Sequence, residues 1–179
     1  MQPKLIHEGL SGAAVKARRP AALNAARRRG YTIARPESAT ESEQGYALLN
    51  STVPGLNDAA HAKGGGQLVV ARKNGTIAGA AWVGHDGMPG MTLVRLRALA
   101  THPEHRRQGI GLALLHEAPR LLEARRIQMI YGSCPEAEAD FYGRAGFAVT
   151  FPGQPLLLPG NHAVLNSNTD APCWFYRRP

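Results

Sequence analysis

The chain has 179 residues, 44% of them hydrophobic, with a formal net charge of +8. That is the length and apolar content of one ordinary globular domain; no stretch approaches the roughly 18–20 apolar residues that cross a bilayer, and the basic N-terminus lacks the apolar segment of a secretory signal, so a cytoplasmic protein without a membrane partner is expected. The two cysteines, Cys134 and Cys173, fit no metal-ligand spacing and no disulfide framework, so no metal is expected and both thiols are read as reduced.

Charge is unevenly placed. The first 30 residues carry seven basic side chains against Glu8, whereas the remainder carries 14 basic and 12 acidic ones. Residues 1–30 therefore read as a basic N-terminal extension, disordered or helical, preceding a domain over 31–179. Such an arm either contacts RNA or another polyanion or is simply a solvated leader. Within it, Ala21 to Arg29 forms a short helix candidate, with Pro20 at its start and Gly30 at its end.

Thr32 to Arg35 is a short strand candidate. Thr40 to Asn50 reads as a helix with Thr40 as N-cap and Glu43 three residues on. Val53 to Gly66 is loop-like. Gln67 to Arg72 and Thr76 to Val83 are strands joined by Asn74-Gly75, the strongest short hairpin signal. A Gly-rich turn over 84–90 leads to a third strand, Met91 to Ala100.

Apolar residues then recur at helical spacing from Gly109 to Arg125, with Pro119 expected to kink or split the helix. Ile127 to Gly132 is a strand and Glu136 to Ala145 a helix ended by Gly146. Phe147 to Phe151 and Cys173 to Arg177 are the last strands, separated by a long loop over 152–172. The order β-α-β-β-β-α-β-α-β-β predicts an α/β (α+β) fold with a mixed, mostly antiparallel central sheet and helices on both faces.

The segment Arg106-Arg107-Gln108-Gly109-Ile110-Gly111-Leu112 carries the chemistry. Two glycines allow a tight turn and a close ligand approach. The helix that begins here exposes unpaired N–H groups and the positive end of its dipole, which suits a pyrophosphate. A dinucleotide-binding loop would need a third glycine, and a Walker loop a Gly-Lys-Ser/Thr; neither is present.

Residues 99–111, LATHPEHRRQGIG, resemble the strand-plus-loop segment of the GNAT superfamily of acetyltransferases, and Phe141-Tyr142-Gly143-Arg144-Ala145-Gly146-Phe147 is similar to that family's helix ending in Tyr…Gly-Phe. The resemblance implies a GNAT-like sheet with a splayed strand pair, and acetyl-CoA or another acyl-CoA lying between the strands of 91–101 and 127–132. It further implies that the backbone of Leu99, Ala100 and Thr101 bonds the pantetheine arm, that the loop from Arg106 through Leu112 holds the pyrophosphate, and that the Tyr142 hydroxyl protonates the departing CoA sulfur.

Acyl transfer to an amine needs a neutral nucleophile, an oxyanion donor and an acid for the leaving thiolate. The positions where the family often carries a carboxylate base hold Arg95 and Ile130 here, and Cys134-Pro135 replaces an expected Asn. Ordered water or an already neutral amine is therefore the expected route, with His85, Asp86, Glu136 and His162 as minor contributors. Arg95 and Arg97 share one strand face with Leu99 and serve either an acceptor carboxylate or phosphate or structural ion pairs. Cys134 reads as a small buried hydrophobe. The expected partner is a small-molecule amine, the expected assembly a monomer or homodimer.

Overall fold

A computed structural model describes residues 3–53, 56, 66–88, 91–122, 127–159, 164–166 and 169–178. The architecture is mixed α/β, with four α-helices and a mostly antiparallel set of strands among the described residues. The chain divides into two compact units, Met1–Lys16 with Asp86–Arg95 and Arg125–Pro179, and Ala17–His85 with Leu96–Ala124.

In the first unit the strands β1 (Leu5–Glu8), β7 (Ala148–Thr150), β10 (Cys173–Arg177) and β6 (Met129–Cys134) are neighbours in that order, followed by the first half of β5 (Met91–Thr101). The β5–β6 ladder is parallel and runs Leu93–Met129, Val94–Ile130 and Arg95–Tyr131. β10 pairs antiparallel with β6 from Cys173–Cys134 to Arg177–Ile130. A separate two-stranded ribbon, β8 (Leu156–Leu157) with β9 (Val164–Leu165), interrupts the expected long loop. Its Leu156 packs with Leu158, Leu93, Met129, Tyr131 and Trp174 in an apolar cluster.

In the second unit the rest of β5 is followed by β4 (Thr76–Met88), β3 (Gly66–Lys73) and β2 (Thr32–Ala34). The expected turn at Asn74-Gly75 closes the β3–β4 hairpin, with Asn74 and Gly75 both at positive φ. Helix α2 (Ala39–Thr52) places Leu49 against Leu68, Val70, Ala80 and Trp82. Its N-cap is Ser38, not the expected Thr40. The Ser38 hydroxyl accepts from the Glu41 amide at 3.1 Å, and the Glu41 carboxylate accepts from the Glu37 amide at 2.7 Å. The cap is thus two residues upstream of the predicted one, with the return bond running to the residue before it. Arg72 then ties Glu41 to β3 at 2.8 Å.

The first 30 residues depart furthest from expectation. Leu5–Glu8 is a strand hydrogen-bonded to β7, and α1 covers Gly12–Arg28 with Pro20 inside it. The start signal is Ser11, whose hydroxyl accepts from the Ala14 amide at 3.3 Å. The helix continues through Pro20 because the ring removes one donor from an otherwise Ala-rich, helix-favouring run. It ends in a Schellman motif, with Gly30 N donating to Arg27 O at 2.9 Å and Tyr31 N to Ala26 O at 3.1 Å. Met1–Lys16 falls in one of the two compact units and the rest of α1 in the other.

Helix α3 (Ile110–Leu121) contains Pro119 and stops four residues before the predicted end; 123–126 lie outside the described residues. The helix expected over 136–145 is a 3-10 turn, Glu136–Glu138, followed by the short α4 (Ala139–Arg144). The expected turn at 84–90 is mostly strand, since β4 runs to Met88. Of the loop expected over 53–66, residues 54, 55 and 57–65 lie outside the described residues.

Edge strand β1 is fastened to α4. The His7 imidazole lies 3.0 Å from the Asp140 carboxylate, and a Cβ on Gly143 would overlap the His7 ring. Gly143→Ala should therefore lower stability by about 1–3 kcal/mol through overpacking, outweighing a helix-propensity gain of about 1 kcal/mol. Thermal melts check this, and adding His7→Ala should recover much of the loss.

Candidate active site

The loop expected to hold a pyrophosphate grows out of the end of β5. The His102 amide donates to Ala78 O at 2.9 Å and keeps the strand end on β4. A 3-10 turn, Pro103–His105, then reverses the chain, with His105 N donating to His102 O at 2.9 Å. Arg107 takes φ 60° and Gly109 φ 82°, two left-handed residues either side of Gln108. Gly109 is the N-cap of α3.

The first intrahelical bond is Ala113 N to Gly109 O at 3.0 Å. The amides of Ile110, Gly111 and Leu112 precede it and have no partner within the helix. A turn of left-handed residues entering a helix start gathers N–H groups into an anion-binding concavity. Apart from its chain neighbours, nothing among the described residues lies within 4 Å of where a Gly109 Cβ would be. Arg106 and Arg107 are both exposed beside it. The residues present fit a diphosphate.

The side chains of the loop are committed unequally. Arg106 folds back, its Nε donating to the Thr101 carbonyl at 3.3 Å. Gln108 is held on several sides: its Oε1 accepts from the Tyr31 hydroxyl at 2.7 Å, its Nε2 donates to Glu104 O at 3.3 Å, and its carbonyl accepts from Arg29 Nη1 at 3.2 Å. Ile110 is buried, whereas Gly111 and Leu112 are half-buried. On β5, Leu99 and Thr101 are half-buried and alternate with buried Ala98 and Ala100.

Arg97 shares the half-buried side of that strand; its guanidinium lies over the Trp82 ring at 5.0 Å. This cation–π contact is a structural partner that sequence reasoning did not foresee. Arg95 closes the parallel ladder opposite Tyr131 and is half-buried.

Tyr142 sits on α4, 5% exposed, in an aromatic stack. Its ring lies parallel to Phe175 at 3.8 Å and 7°, with edge contacts to Phe141 and Phe147. Burial pushes its phenol well above the ordinary value, helped by the charges of Glu138 and Cys134. The hydroxyl therefore stays protonated, the state a general acid needs.

Glu138 escaped the sequence reading. It is exposed as a residue, yet its carboxyl is shielded enough for burial to raise its pKa. The available signal was its spacing four residues before Tyr142, one helical turn. Cys134 is buried opposite Cys173, and burial pushes its thiol up to about 12. A protonated thiol is a poor nucleophile, in keeping with the expected hydrophobe.

Of the other expected contributors, Asp86 accepts a hydrogen bond from the Tyr131 hydroxyl, while His85 and Glu136 are exposed. His162 lies outside the described residues. No cluster of three or more His, Cys, Asp or Glu able to hold a metal occurs among the described residues, and no helix among them is long and apolar enough to cross a membrane.

A strand, a left-handed loop and a helix N-terminus arranged in this way have the geometry that an anion site in an α/β fold requires. The family model described as an acetyltransferase (GNAT) domain matches residues 64–149, a span that contains both the 106–112 loop and Tyr142. Over that span the chain is similar to the GNAT acetyltransferases.

Solved structures share the fold. A GNAT family acetyltransferase from Elizabethkingia anophelis with acetyl-CoA bound is 16% identical, with a TM-score of 0.60 over 84% of this chain and 99% of that one. A Bacillus subtilis acetyltransferase in complex with CoA is 15% identical, with a TM-score of 0.60 over 83% and 99%. Arabidopsis thaliana Naa50, in complex with the bisubstrate analogue CoA-Ac-MVNAL, is 17% identical, with a TM-score of 0.57 over 82% and 96%. The comparison with curated proteins finds no match.

The left-handed N-cap can be tested directly. A side chain at Gly109 meets no steric wall but costs roughly 1–2 kcal/mol in that conformation, so the loop relaxes and its amides diverge. Gly109→Val should remain folded and lose CoA affinity by at least about tenfold, measured by calorimetry.

Proposed function

We propose that this protein is a cytoplasmic N-acyltransferase that moves an acetyl or other short acyl group from acyl-CoA to a primary amine of a small acceptor, by direct attack in a ternary complex. The observation that carries the reading is the open start of α3, where the Ile110, Gly111 and Leu112 amides precede the first intrahelical bond beside exposed Arg106 and Arg107. The diphosphate of the coenzyme binds there, and the backbone of Leu99 to Thr101 takes the pantetheine arm as an added strand.

Tyr142 acts as the general acid. When the neutral amine attacks the thioester carbonyl and the tetrahedral adduct collapses, the C–S bond breaks and the phenol proton passes to the CoA sulfur. The amine loses its proton to water. Burial in the stack with Phe175 keeps the phenol neutral until that moment.

Tyr142→Phe preserves the stack and removes the acid. It should lower kcat by about 10²–10⁴-fold and leave the acyl-CoA KM within a few-fold of wild type, as read by thiol release. The pH profile has a defined sign. Because the phenol is held above its usual value of 10, kcat should rise as the acceptor amine loses its proton and should show no descending limb up to pH 10. A fall beginning near pH 8–9 would remove Tyr142 as the acid.

The acceptor carries a carboxylate or phosphate in this reading, because Arg97 presents a half-buried guanidinium from β5, with Arg95 as a second candidate on the same strand. Arg97 also packs on Trp82, so a fold control is needed. Arg97→Lys keeps the charge over the ring and should fold normally, yet raise the KM of an anionic acceptor several-fold more than that of acyl-CoA. Amino acids, phosphorylated amines and peptide N-termini form the panel, the last because Naa50 binds an analogue bearing the peptide MVNAL. Equal KM changes for both substrates would remove the anionic-acceptor assignment.

A further inference from the structure

The corner between α1 and β2 is wired to the coenzyme loop. Tyr31 follows the Schellman turn of α1 and is 2% exposed. Its hydroxyl donates its one proton to Gln108 Oε1 at 2.7 Å. The same oxygen lies 2.9 Å from His105 Nδ1, so the imidazole must be the donor there and carries its proton on Nδ1. The two rings also meet edge to face at 5.7 Å. Two residues back, Arg29 Nη1 donates to the Gln108 carbonyl at 3.2 Å.

These contacts converge on the residue between the two left-handed positions, Arg107 and Gly109. They are not needed to place Tyr31. Its backbone is already fixed by the bond to Ala26 O, and the following residue, Thr32, pairs with Arg72 on β3. Among the described residues, both hydroxyl contacts run to the loop. Arg29 is exposed, and its guanidinium presents further N–H donors beside a site for phosphate.

We propose that Tyr31 and Arg29 are positioning residues for the coenzyme. Tyr31 holds Gln108 so that the α3 amides converge before ligand arrives, which lowers the ordering cost of binding. Arg29 braces the same residue from its backbone side and adds positive charge next to the diphosphate. The segment that delivers both is the end of the N-terminal helix, so that helix belongs to the coenzyme site and not to a dispensable leader. The inference rests on the acyl-CoA reading of the loop.

The test is calorimetric titration of the full chain with CoA, for wild type, Tyr31→Phe, Arg29→Ala, Gln108→Ala and the double variant Tyr31→Phe/Gln108→Ala. Tyr31→Phe should raise the Kd for CoA about tenfold, with the acceptor KM unchanged. Arg29→Ala should raise it about three- to tenfold and flatten its salt dependence. In the Gln108→Ala background, Tyr31→Phe should add nothing, because its effect passes through that side chain. A Kd within twofold of wild type for both Tyr31→Phe and Arg29→Ala overturns the proposal, as does an undiminished Tyr31→Phe effect in the Gln108→Ala background. Should Tyr31→Phe not fold, the exposed Arg29 decides alone. Wild type that fails to bind CoA overturns the coenzyme reading itself, a separate result.

Discussion

Three backbone N–H groups at the start of α3 have no partner inside the helix, and the surrounding structure keeps them fixed and open. The helix is pressed closely onto β4, since a Cβ on Gly79 would lie 3.0 Å from both the Ile110 and Leu114 side chains and 3.1 Å from the Ala100 carbonyl. Glycine at 79 is what lets α3 and the end of β5 come this near. Proximity of that kind turns a helix terminus into a site, because a rigid set of donors needs no reorganisation when an anion arrives.

The same local device is used twice to carry aromatic side chains out of a helix. Gly30 and Gly146 both occupy left-handed C′ positions, and the residues after them, Tyr31 and Phe147, both close six-to-one bonds onto the helix they leave. At α1 the result is a phenol aimed at the loop before α3. At α4 it is a ring that packs edge-on against Tyr142 and Phe175 and carries the Arg177 guanidinium at 4.5 Å. Burial draws that guanidinium down to about 10, another sign of how little water reaches this cluster. A tyrosine in such surroundings holds its proton for a chemical reason, not a conformational one.

The basic character of the N-terminal 30 residues looks different once they are folded. Arg19 lies 3.1 Å from the Glu117 carboxylate, which also takes Arg120, and Arg29 donates to the Gln108 carbonyl. Charge that reads along the chain as one undivided block is distributed among separate tasks, and the buried Glu117 explains part of why the helix needs arginines at all.

The sequence alone determined the elements whose signals are local. The Asn74-Gly75 hairpin, the strand into Gly109, the helix behind it and the Gly146 stop each depend on backbone preferences that a few neighbouring residues settle. The loop composition likewise pointed to phosphate, and the loop lies inside the span that the acetyltransferase (GNAT) family model matches. Tertiary structure decided the rest. Ser38 displaced Thr40 as the cap because its hydroxyl reaches the Glu41 amide, and Glu41 is claimed in turn by Arg72 on β3. Leu5–Glu8 became a strand only because β7 offered a free edge, and α1 ran through Pro20 with Val15 and Ala26 buried along it. Tyr31 and Glu138 carry no motif of their own. Their significance comes from which distant groups the fold sets beside them, and long-range contacts of that sort leave no periodicity to read.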